Sequence, residues 1–160
     1  AELAAMRERL VNESSVWEAG RPPEREFKKV AGSFYDVDYI VALLFLSRGL
    51  RSAIPPRGNI LQQIASLESA GPLASGMSAT IANDLRASAL FYRSVDHAIR
   101  LITGHSARRD PEPALAARVE SLLRRWNITV RDKHYHVRQE LRVMREETRA
   151  LYEKIWTGET

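Results

Sequence analysis

Cysteine is absent from the 160 residues. Disulfides, thiolate zinc sites and cysteine nucleophiles are thereby excluded, and the chain suits a reducing compartment. Long apolar runs are missing too. The longest, Tyr39 to Leu46, falls far short of the roughly 20 residues that span a bilayer. No basic-then-apolar leader opens the sequence, so no secretory signal is expected. Together these absences point to a cytoplasmic protein with no membrane partner. Charge of one sign is also scarce: 24 Lys and Arg stand against 20 Asp and Glu, a net charge of +4. Acids and bases are interspersed, and Arg108-Arg109 is the densest basic stretch. A nucleic-acid binder would concentrate far more positive charge. The first residue is Ala1 rather than Met and already lies in a helical pattern, which suggests a piece of a longer protein.

What is present is helical period. Leu3, Met6, Leu10 and Trp17 share one face of a first helix over Glu2 to Trp17, ended by Gly20-Arg21-Pro22-Pro23. Glu24 to Ala31 reads as a charged connector. Ser33-Phe34-Tyr35-Asp36 has the form of a capping box opening a second helix to Leu46 or Ser47. That helix is apolar almost all round, which predicts a central, buried position. Asn59 caps a short helix from Ile60 to Ala70, stopped by Gly71-Pro72. A long helix over Ser78 to Thr103 carries the stripe Ile81, Leu85, Ala89, Tyr92, Ile99 and Ile102, widened by Val95, Ala98 and Leu101, and ends at Gly104. Leu115, Val119, Leu122 and Trp126 mark a fifth helix. Thr129 to Asp132 offers a weak capping box for a last helix reaching Trp156. Its seam of Val137, Leu141, Met144, Thr148, Leu151 and Ile155 suits packing between antiparallel helices. No strand pair, Gly-rich phosphate loop or repeat stands out. The expected fold is all-α, an antiparallel bundle of five to six helices in one domain over residues 1–160.

Gly32-Ser33 followed by Asp36-Val37-Asp38 invites a catalytic reading, because polymerase-β-type nucleotidyltransferases pair Gly-Ser with Asp-x-Asp. Two-metal phosphoryl transfer needs carboxylates that converge. On a strand, residues two apart share a face; on a helix they diverge by about 200°. An autonomous magnesium site at Asp36 and Asp38 is therefore not expected. Asp36 instead suits the positive end of a helix, and Asp38 either does the same or pairs with Lys28 or Lys29. His134 and His136 also diverge on a helix and make a poor metal pair. Asp96 has Arg93 and Arg100 at helical reach, a structural ion pair. Trp17, Trp126 and Trp156 read as helix-packing anchors.

The segment Gly32-Ser33-Phe34-Tyr35-Asp36-Val37-Asp38-Tyr39-Ile40-Val41 resembles the Gly-Gly-Leu/Ile-x-Asp/Glu-Ile-Glu-Phe-Ile-Val segment of the bacterial glutamine synthetase adenylyltransferases. Further stretches are similar in the same order: Met6 to Leu10, Phe27-Lys28-Lys29, Asn59 to Leu73, Ala89 to Leu101 with its Val95-Asp96-His97, and Leu141 to Trp156. The resemblance spans most of the chain. It departs where Val30 and Ser33 stand in place of family glycines and Asp38 in place of Glu, the marks of a divergent member. A Ser at 33 gives up backbone freedom, and the shorter Asp38 reaches less far.

The resemblance implies an accessory helical domain that follows a nucleotidyltransferase domain and is inactive alone. The parent would use ATP and magnesium to attach AMP to glutamine synthetase, or would remove it, under PII-protein and glutamine control. The ending at Trp156-Thr157-Gly158 reads as a natural C-terminus and favours the adenylylating half. Lys28, Lys29, Asp36 and Asp38 are then candidates for the face toward the upstream domain or for a composite site with it. Against that stands the bland reading in which Asp36 only caps its helix. A different class of function, a non-enzymatic helical module that scaffolds proteins or binds nucleic acid, is the alternative.

Overall fold

The structure, a computed structural model, describes residues 5–9, 12, 26–50, 58–71, 77–128 and 136–157. Residues 5–9 are helical. Five further helices follow: α1 (Phe34–Ser47), α2 (Ile60–Ser69), α3 (Ala79–Thr103), α4 (Pro113–Arg125) and α5 (Val137–Thr157). Among the described residues the only extended pairing is an isolated antiparallel bridge between Glu26 and Arg109. The chain forms an all-α helical bundle. Trp17 and the Thr129 to Asp132 box lie outside the described residues, as do His134, Leu3 and Leu10.

The helix boundaries follow local chemistry. The Asn59 side chain accepts from the Gln62 N–H at 3.0 Å, while Gln62 accepts from the Asn59 N–H at 2.9 Å. This reciprocal box satisfies two of the amides a helix N-terminus leaves unpaired. Ser78 caps α3 through the Ile81 N–H at 3.3 Å. Gly104 closes α3 in the left-handed conformation, φ 78°, a geometry that an L side chain resists.

The axis of the bundle is α3, which packs against all four other helices, whereas α1 packs against α2, α3 and α5. The most apolar helix is thus central only over its first three turns. Val37, Ile40, Val41, Leu44 and Phe45 are buried, and Leu46 emerges at its far end. Leu101, expected in the inward stripe of α3, faces outward with 60% exposure. It lies two residues from buried Ile99, a helical rotation of about 200°. Trp156 is likewise no packing anchor. It is 45% exposed and stacks flat on Tyr152 at 6.2 Å.

One contact fixes how closely the connector before α1 approaches α5. Gly32 has φ 78°, and a Cβ built on it would lie 2.0 Å from the Arg145 carbonyl oxygen. Both conditions demand glycine. Gly32→Ala is expected to cost about 3 kcal/mol, since backbone rather than a side-chain tip must move. Gly104→Ala, with nothing within 4 Å of the added carbon, should cost only about 1–2 kcal/mol. Urea unfolding of the two variants side by side measures the difference.

Candidate functional site

Four polar groups fasten the segment Glu26 to Ser33 to the bundle. The first is Asp36. Its carboxylate accepts from Arg7 Nε at 2.9 Å and Arg7 Nη2 at 2.6 Å, a bidentate pair, and from the Gly32 N–H at 2.6 Å. Asp36 is 2% exposed. The guanidinium of Arg7 also lies 3.9 Å from the centre of the Tyr152 ring, so α5 helps hold it in place. A buried carboxylate is tolerated only when charge and hydrogen bonds replace its water, and here they do.

The expected capping box does not form. The Ser33 hydroxyl is buried and has no hydrogen-bond partner among the described residues, and the Asp36 N–H donates to the Ser33 carbonyl at 3.0 Å instead. The Asp36 carboxylate reaches back to Gly32, one residue before the cap. An Asp side chain is one methylene shorter than the Glu that the box prefers, and the pull of Arg7 aims it elsewhere.

The second fastening is Tyr92 on α3, whose hydroxyl donates to the Gly32 carbonyl at 2.7 Å. Both backbone groups of Gly32 are therefore held by side chains from other segments. Burial raises the Tyr92 phenol above its ordinary value, so it stays a neutral donor. The third is Arg145 on α5, which donates to the Glu26 carbonyl at 3.0 Å and forks onto the Asp110 carboxylate.

The fourth is Lys28. Its ammonium sits 3.0 Å from Asp96 and 2.8 Å from the Ser106 hydroxyl. Asp96 also accepts from Arg100 Nε at 2.9 Å and from the Ala107 N–H at 2.9 Å. Desolvation pushes the Asp96 carboxyl up, but Lys28, the Ala107 amide and Arg100 outweigh it and hold it below the ordinary carboxylate value. The main chain completes the join, with the Phe27 N–H donating to the Arg108 carbonyl at 3.1 Å.

The four candidate residues thus have different fates. Asp36 and Lys28 are both ion-pair members, Asp36 buried and Lys28 partly so. Asp38 pairs with Arg93 at 3.1 Å across the surface, not with Lys28 or Lys29, and both partners are near half-exposed. Desolvation raises the Asp38 carboxyl, with Arg93 pulling the other way. Lys29 is exposed and, among the described residues, joins no ion pair. Asp36 and Asp38 do not fit a shared magnesium site, since each faces its own arginine on a different side of α1. Among the described residues no group of three or more His, Asp or Glu is placed to hold a metal ion, and no helix is long and apolar enough to cross a membrane.

No protein-family model, curated protein or solved structure matches this chain.

Of the Asp96 arginines expected from helical spacing, Arg100 pairs with it and Arg93 turns to Asp38. Sequence reasoning missed Arg7, Tyr92, Arg145 and Asp110. Arg7, Tyr92 and Arg145 lie inside stretches that the resemblance had singled out, which was a usable signal. The Arg145–Asp110 pair spans 35 residues, and nothing in the local pattern announces it.

Two outcomes follow. Asp36→Ala leaves the Gly32 amide and the Arg7 guanidinium without their acceptor and is expected to cost about 3 kcal/mol, read by thermal unfolding. Asp96 has a folded-state pKa below its unfolded one, so its stabilisation is present above about pH 4 and is lost as the pH falls through the lower folded value. Asp96→Asn should therefore be less stable than wild type near neutrality. Its stability should also fall less steeply below about pH 4, in a denaturant series run across that range.

Proposed function

We propose that this chain is the accessory helical domain of a nucleotidyltransferase of the glutamine synthetase adenylyltransferase kind, and that it shapes and presents the parent enzyme without transferring AMP itself. One observation carries this reading. Stretches that resemble that family, far apart in the sequence, supply the groups of two neighbouring joints, one around Gly32 and one at Asp96. Arg7 comes from the first stretch and Lys28 from the lead-in. Gly32 and Asp36 belong to the central motif, Tyr92 and Asp96 to the long-helix motif, and Arg145 to the last. Residues that share a pattern because they build one joint are expected to touch, and these do.

The division of labour follows from the chemistry. In the parent, AMP transfer from ATP with magnesium would fall to the carboxylates of an upstream nucleotidyltransferase domain. This chain's own groups are spent on rigidity: Asp36 and Lys28 hold the connector at a fixed height on the bundle, so that a domain attached ahead of it is presented at a fixed angle. Glutamine synthetase as acceptor, and a PII-type protein as regulator, belong to the same reading.

Two experiments test it. The reading frame ahead of Ala1 is expected to encode a Gly-Ser then Asp-x-Asp strand motif. The purified full-length parent should transfer label from ATP to glutamine synthetase. A parent with the motif absent and no label transferred would overturn the proposal. In that parent, Asp36→Asn should lower the melting temperature while turnover per folded molecule is kept. A collapse of turnover at unchanged melting temperature would instead put Asp36 in the reaction centre.

A further inference from the structure

We infer that Met144 is an oxidation site for small hydroperoxides, and that its sulfoxide loosens the joint at Gly32. Three observations meet at this residue. The first is access. Met144 is only 3% exposed, yet it lines a cavity of about 290 Å³ bounded by α3, α5 and the residues just after α4. Leu90, 43% exposed, and the exposed Asn127 stand at its open edge. Phe91 and Ile128 supply apolar wall, while Asn127 and Glu140 add polar groups. A space of that size with polar lining admits water, and hydrogen peroxide is little larger than water.

The second is chemistry. The Ser88 hydroxyl donates to Met144 Sδ at 3.1 Å, and the Thr148 hydroxyl donates to Ser88 at 3.3 Å. Both hydroxyl residues are buried. A thioether sulfur is a weak acceptor with two lone pairs. Ser88 takes one, and the other is the nucleophile. It attacks the outer oxygen of the hydroperoxide, the O–O bond breaks, and the leaving oxygen departs with the proton of the transferred hydroxyl. Sulfur is oxidised to the sulfoxide, and the peroxide is reduced to water, or to an alcohol where it carries an alkyl group. The new S–O oxygen is a stronger acceptor than the sulfur. A buried polar oxygen needs a donor, and the Ser88 hydroxyl is within reach to be one.

The third is position. Met144 directly precedes Arg145, whose carbonyl oxygen crowds Gly32 and whose guanidinium holds Glu26 and Asp110. An oxygen added to a closely packed seam forces its surroundings to shift. What shifts here is the turn of α5 that carries the contact with Gly32. The change is reversible, since reductases return methionine sulfoxide to the thioether. This inference is independent of the adenylyltransferase reading.

The three methionines of the chain form an internal comparison. Met6 is 48% exposed, and Met77, 2% exposed, lies in the core and is not among the residues lining the cavity. The 160-residue chain is treated with hydrogen peroxide under native conditions, and mass spectrometry of its peptides follows oxygen addition at each methionine. Met6 should oxidise first and Met144 next, with Met77 about tenfold slower than Met144. Hydrogen exchange of the connector, residues 26–33, is compared before and after treatment. Its amides should exchange about tenfold faster after oxidation in wild type and in Met6→Leu. They should not change in Met144→Leu, which keeps the volume but has no sulfur to oxidise. Methionine sulfoxide reductase should restore slow exchange in oxidised Met6→Leu, a readout that leaves the core sequence intact. Equal oxidation rates at Met144 and Met77, the mark of oxidation through global unfolding, would overturn the site. Connector exchange that rises as much in treated Met144→Leu as in wild type, or that rises in neither, would overturn the link to Gly32.

Discussion

A carbonyl oxygen with no room in front of it governs this molecule. The Arg145 oxygen lies where a side chain at position 32 would begin, so connector and α5 approach as closely as two backbones can. Everything around that contact maintains it. Tyr92 takes the Gly32 carbonyl, Asp36 takes the Gly32 amide, and Arg7 neutralises Asp36. Arg145 itself reaches back to the Glu26 carbonyl from the same helix position that crowds Gly32. A backbone in a left-handed conformation, buried and cut off from water, needs all of its polar groups answered from elsewhere. Asp36 and Tyr92 answer them.

This arrangement shows how Asp36, so close to a catalytic-looking motif, is held by its own chain. A carboxylate with an arginine fork and an amide on it has its lone pairs committed. The Asp36 pair is also a specificity device. Apolar contacts between α1, α3 and α5 tolerate small slides, because hydrophobic burial has no direction. A bidentate pair plus two backbone bonds tolerates none. The apolar core supplies the drive to assemble, and the polar joint sets one register for the connector.

How much of this was legible in the sequence depends on the range of the interaction. Local chemistry read well. The caps at Asn59 and Ser78, the glycine stop at 104 and the helical stripes on α3 and α5 depend on neighbours within a turn or two. The helix periodicity also failed locally where it overreached, at Leu101, because a stripe was widened past the angle that one face allows. Long-range partners read poorly. Asp36 was identified as structurally or chemically special, yet its partner, 29 residues away, was not. The mistaken capping box had a local cause: the pattern specifies which residues are near an unpaired amide, not which stronger partner competes for the carboxylate. Gly32 showed the opposite behaviour. Its place in the motif was visible, but the demand for it came from a carbonyl 113 positions later in the chain, and only packing could reveal that.

The same logic separates inward from outward charge on this surface. Asp96 draws Lys28, Arg100 and the Ala107 amide onto one carboxylate, which locks the loop after α3 to the connector. One acid there serves two bases. Lys29 and Arg108 then stand on two backbone segments that are bonded to each other, so they cannot drift apart as lysines and arginines on separate loops would. Rotamer freedom remains, but the backbone share of their ordering is already met by folding. The rigidity thus has two sources: the main-chain bond between Phe27 and Arg108, and the Asp96 carboxylate that Lys28 and Arg100 share.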